Sequence, residues 1–128
     1  MTLLARSAVG FLIFAHGLVH LLYLVPAAAD PKYPFSLARS RLLPESARRP
    51  VALVLITAVV LGFLAAALAL WGVPGLAGAW SEITIVAAIL SLALLVAFWD
   101  RQLWIGALID LLLVAAAVVR PSWVDALP

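Results

Sequence analysis

The chain has 128 residues, 67% of them hydrophobic and 11% charged, with a mean hydropathy of +1.23. Soluble domains carry about 25% charged residues, so this composition excludes water as the solvent for most of the surface. The formal net charge of +2 does not read as nucleic-acid binding, because the basic residues fall between hydrophobic runs. The absence of cysteine excludes disulfides, thiolate metal sites and cysteine catalysis.

One domain over 1–128 is expected at this length. The first apolar run covers about 3–25, within the roughly 17 to 25 residues that a spanning helix needs. It contains FAHGLVHLLY (14–23), where His16 and His20 sit about 40° apart around a helix and so share a face. Tyr23 continues that face, and Gly10 and Gly17 beside it are small enough to let a second helix approach. Arg6, the apolar run and Ala27-Ala28-Ala29 before Asp30 also match the outline of a secretory signal. The run is longer than such a core and holds two histidines, so a retained span is expected. Pro26 and Pro31 mark its end.

The loop 26–50 carries Lys32, Arg39, Arg41, Arg48 and Arg49. With Arg101 these outnumber Arg6 and Arg120 on the opposite side, which predicts a cytoplasmic first loop and both termini outside. Within it FSLARSRLL (35–43) reads either as a short interfacial helix or as a solvated basic loop. Anionic lipid headgroups are the expected partners of residues 32–49.

The second run covers about 51–71, opened by Arg49 and Pro50, and offers Thr57. Gly72, Pro74, Gly75 and Gly78 form a turn, after which Ser81 is the expected N-cap of a third run over about 83–99. That run aligns Thr84, Ala87, Ala88 and Ser91 on one stripe. Asp100, Arg101 and Gln102 are a tight link to the fourth run, about 103–119, with Asp110 near its middle and Gly106, Ala107, Val114 and Ala117 on the same face. The five tryptophans (Trp71, Trp80, Trp99, Trp104, Trp123) fall at or beyond run ends, the level an indole prefers. Glu82, Asp100, Arg101 and Arg120 read as solvated anchors. Unpaired amides are not tolerated in hydrocarbon, so the fold class is all-α: an antiparallel four-transmembrane-helix bundle, multi-pass in the cell membrane.

Depth brings the polar residues together. At 1.5 Å per residue from the basic-loop side, His20 and Thr57 lie about 9 Å in, Asp110 about 10.5 Å, Ser91 about 12 Å and His16 about 15 Å. Asp110 is therefore expected to pair with His20 or His16, with Thr57 and Ser91 as hydrogen-bond partners. Intramembrane ionisable groups usually mark a site, whereas small hydroxyls are ordinary packing residues.

Several chemistries stay open. His16, His20 and Asp110 could complete a three-ligand metal site, but HGLVH lacks the glutamate of the H-E-x-x-H zinc motif. Haem would need a second axial ligand from elsewhere, since both histidines share one helix. A proton-coupled carrier fits the size and span count, without the first-helix glutamate of the small multidrug exporters. No cofactor is required by the sequence, and no nucleophile–base pair or phosphate loop points to an enzyme.

The stretch RSAVGFLIFAHG (6–17) resembles the opening of DoxX-like membrane proteins, where an arginine, a glycine four residues later and a His-Gly pair precede the end of the first span. The resemblance implies a four-helix plan and an accessory place in respiratory, thiol-linked or quinone-linked redox complexes. Many members carry a lysine shortly after His-Gly; here His20 follows and no lysine does. Two classes of function result. One is an accessory or assembly subunit packed on a larger membrane complex or on itself as a homodimer, its polar layer structural. The other is a carrier or redox protein using His16, His20 and Asp110.

Overall fold

The computed structural model describes residues 3–25 and 30–122. Pro26, the Ala27–Ala29 cluster and Trp123 lie outside the described residues. Four α-helices make up the fold, α1 (Leu3–Val19), α2 (Glu45–Leu70), α3 (Trp80–Ala97) and α4 (Trp104–Val119), with no strand among the described residues. Short 3₁₀ turns extend α1 through His20–Leu24 and lead into α3 and α4 at Ala77–Ala79 and Arg101–Leu103. With these turns the helical segments run 22, 26, 21 and 19 residues, and all four are long and apolar enough to cross a membrane.

The helices pack in chain order, α1 on α2, α2 on α3 and α3 on α4. Each runs antiparallel to the one before it. The start of α1 meets the end of α2 where Arg6 Nε donates to the Leu70 carbonyl at 3.0 Å. The start of α3 meets the end of α4 where Arg120 donates to Ser81 Oγ at 3.1 Å.

Two helix boundaries differ from expectation, and one alternative left open by the sequence is decided. The second helix opens at Glu45, with Pro44 as its N-cap, and Pro50 sits inside it. As sixth residue Pro50 forfeits only the bond to the Ser46 carbonyl, so the helix begins a turn earlier than the proline suggested. Ser81 is inside α3 rather than its N-cap, which is Ala79 without a side-chain cap. The segment 35–43 forms turns, not a helix. Ser40 Oγ accepts from the Leu42 and Leu43 amides at 3.4 and 3.1 Å and donates to the Ala97 carbonyl at 2.5 Å. That local geometry competes with helix formation.

The rest of the loop is stitched by arginines. Arg48 donates to the Ala38, Ser40 and Leu43 carbonyls, and Arg39 to those of Pro31 and Tyr33 while pairing with Asp100 at 3.4 Å. Asp100 also accepts from the Gln102 amide at 2.9 Å, so it organises the α3–α4 link rather than only facing solvent. At the other end of α2, the Gly72 amide bonds Ala69 and the Val73 amide bonds Leu68, with Gly72 at φ 86°. This is a Schellman stop, which needs the left-handed conformation glycine allows.

Two apolar layers fill the interior. One gathers Ile13, Val59, Phe63, Leu70, Trp80, Ala87, Ala88 and Ala117. The other gathers Tyr23, Ala52, Ile56, Leu94, Leu95, Phe98 and Leu103. On α1, α3 and α4 the residues between these layers are His16, His20, Ser91 and Asp110. Trp99 and Trp104 are exposed at helix ends as expected, but Trp80 turns inward and is buried.

Candidate functional site

The site is a hydrogen-bonded cluster from three helices. Asp110 and Ser91 are fully buried, His20 nearly so, and the His16 side chain is 10% exposed. His16 Nε2 stands 2.8 Å from Asp110 Oδ1. Ser91 Oγ donates to Asp110 Oδ2 at 2.5 Å, and His20 Nε2 lies 2.7 Å from the same Ser91 oxygen. Asp110 therefore meets His16 directly and reaches His20 through Ser91. Of the two expected histidine pairings one is direct and the other is relayed.

Local backbone structure fixes the His20 ring. Its Nδ1 is 3.1 Å from both the His16 and the Gly17 carbonyls, four and three residues back. Carbonyls only accept, so Nδ1 carries a hydrogen. This side-chain donor engages the carbonyls of the last α turn where α1 tightens into its 3₁₀ end. Tyr33 then donates to the Leu22 carbonyl at 2.9 Å, capping that end from the loop.

Thr57 is not part of the cluster. It is exposed, on the outer face of α2. The contribution of α2 is Phe63, whose ring meets His16 edge-on at 5.1 Å and stacks near His20 at 6.3 Å. Phe63 fits there because of Gly17: a Cβ on that glycine would lie 2.7 Å from Phe63 Cβ. The sequence signal was the glycine, a notch on the histidine face that a large neighbour must fill.

The cluster is open on one side. A cavity of about 270 Å³ lies between α1 and α4, lined by His16, His20, Leu95, Gln102, Gly106 and Ile109 among others. The walls are mostly apolar, with the two imidazoles and the Gln102 amide as the polar features. His16 Nδ1 has no hydrogen-bond partner among the described residues.

One ligand atom each from His16, His20 and Asp110 lies within 4.8 Å of the others. The same three side chains could close on a metal ion as two imidazoles and a carboxylate, by giving up hydrogen bonds within the cluster. The two imidazoles stand edge to face, centroids 5.4 Å apart, one helical turn from each other. They do not flank a space in which a haem could be ligated on both faces.

No protein-family profile, curated protein or solved structure matches this chain.

Proposed function

We propose that this chain is a small multi-pass membrane protein whose His16–Asp110–Ser91–His20 cluster exchanges protons with a ligand entering between α1 and α4, in the manner of a proton-coupled carrier. The observation that carries the reading is a count of hydrogens. His20 Nδ1 already holds one. If Ser91 donates to Asp110, its oxygen can accept from His20 Nε2 only when that nitrogen is protonated too, so His20 is a cation and Asp110 an anion. If Ser91 instead donates to a neutral His20, the Asp110 contact needs the hydrogen of a carboxylic acid. One proton therefore has two homes, linked through a hydroxyl that reverses its direction.

In either arrangement His16 Nε2–H donates to Asp110 Oδ1, leaving Nδ1 with a lone pair as the acceptor at the cavity. Burial of three ionisable groups at mid-span is costly in a bilayer and is retained mainly where it serves an ion or proton path. The excess of Lys and Arg on the first loop supports a cytoplasmic placement of that loop.

The test uses vesicles holding the purified protein and a pH-sensitive dye under an imposed pH gradient. Wild type should dissipate the gradient faster than empty vesicles, and Ser91→Ala should return the rate toward theirs. Equal rates for wild type and Ser91→Ala would reject the relay.

A second reading is favoured by the satisfaction of the cluster: His20, Ser91 and Asp110 all have close partners, as a lock that fixes helix order would require. On that reading the chain is an accessory subunit, the role its resemblance to DoxX-like proteins implies, and it should co-purify with a larger membrane complex while moving no protons.

A further inference from the structure

The recess between the start of α1 and the end of α2 is a separate feature, on the membrane face opposite the basic loop. It measures about 230 Å³ and is lined by Leu3, Arg6, Ser7, Trp71 and Gly72. Arg6 is 9% exposed, which makes it an unusual arginine for an interface. Its Nε is committed to the Leu70 carbonyl, while neither Nη nitrogen has a partner among the described residues.

Among the described residues no anion compensates the charge. The ion pairs among the described residues are His16–Asp110 and Arg39–Asp100, and neither includes Arg6. A buried guanidinium without an anion is strongly unfavourable, and one backbone carbonyl offsets only part of its charge. Beside it the Trp71 indole N–H is buried against α1, and the Trp71 ring forms one wall of the recess. That ring presses on Gly10, where a Cβ would stand 2.1 Å from the indole nitrogen, so the recess is fixed by packing. The recess thus presents the fork of Arg6, placed at headgroup level by the ends of two spans. A planar guanidinium with free Nη groups matches the oxygens of a phosphate.

We propose that this recess binds a phosphate group through Arg6, either the phosphodiester of a membrane lipid or a free phosphate anion. Native mass spectrometry of the full chain, released from micelles containing phosphatidylglycerol or the phosphate-free lipid monoolein, reads the first source. Phosphorus NMR of delipidated protein titrated with inorganic phosphate reads the second. Wild type should retain one phosphatidylglycerol in preference to monoolein, or perturb the phosphate signal. Arg6→Gln should reduce that retention or affinity roughly tenfold, with Arg6→Lys in between because it keeps the charge and loses the fork. Retention of lipid alone assigns the site to headgroups, and a phosphate shift alone assigns it to a soluble anion. Should Arg6→Gln fail to fold, the same comparison between wild type and Arg6→Lys decides, equal retention and affinity overturning the proposal. Neither probe binding, or equal binding by wild type and a folded Arg6→Gln, overturns the proposal.

Discussion

Between α2 and α3 the backbones meet at Gly62, where an added Cβ would come within 2.9 Å of Ala87 Cβ, and buried apolar side chains pack around that point. Between α1 and α4 there is a cavity, and what crosses it is the hydrogen bond from His16 to Asp110. The first seam is held by shape and tolerates no added volume. The second is held by one polar contact that a proton or a ligand can compete for. Close packing and an open polar contact thus lie on opposite sides of one small bundle.

Four experiments test this division, in descending order of effect. Gly62→Leu should wedge α2 from α3 and cost about 3 kcal/mol, the upper end of overpacking; a shift of the unfolding midpoint in detergent titration would measure it. Asp110→Ala strips His16 and Ser91 of a buried acceptor, and about 2 kcal/mol should be lost, since abandoned polar groups cost more than the bond itself returns. The His16–Asp110 coupling, isolated by combining His16→Gln and Asp110→Asn in a double-mutant cycle, should be near 0.6 kcal/mol, an ordinary value for interhelical hydrogen bonds in membranes. A coupling near zero would mean that the two outer helices are not joined there. Thr57→Val, on the outer face of α2, should change stability by less than about 0.5 kcal/mol, and a larger loss would place its hydroxyl inside the bundle.

The four long apolar helices were legible because runs of that length and hydropathy, read as membrane spans, leave a backbone no choice but helix. The polar layer was legible because height follows from counting residues. Facing did not follow. Buried and exposed positions on α2 are alike in hydrophobicity, so nothing in the sequence distinguished the side carrying Thr57 from the side carrying Phe63. Arg6 was visible only as a charge near a helix start. Its burial depends on the Leu70 carbonyl, a partner 64 residues away. Ser81 had the residue type of a cap, but Arg120 claims its oxygen from across the bundle. Local chemistry was readable, and long-range competition for the same atoms was not.

The hold of the His20 ring on two carbonyls of its own helix carries a mechanical consequence. A 3₁₀ turn advances about 120° per residue and an α turn about 100°. If the imidazole swung away, those carbonyls would be free to accept backbone amides, and the tail of α1 could rewind. Over the three residues to Tyr23, rewinding turns that side chain by about 60°, enough to carry its hydroxyl off the Phe98 carbonyl it now reaches at 3.4 Å. The orientation of one ring is thereby geared to the grip between the first helix and the end of the third.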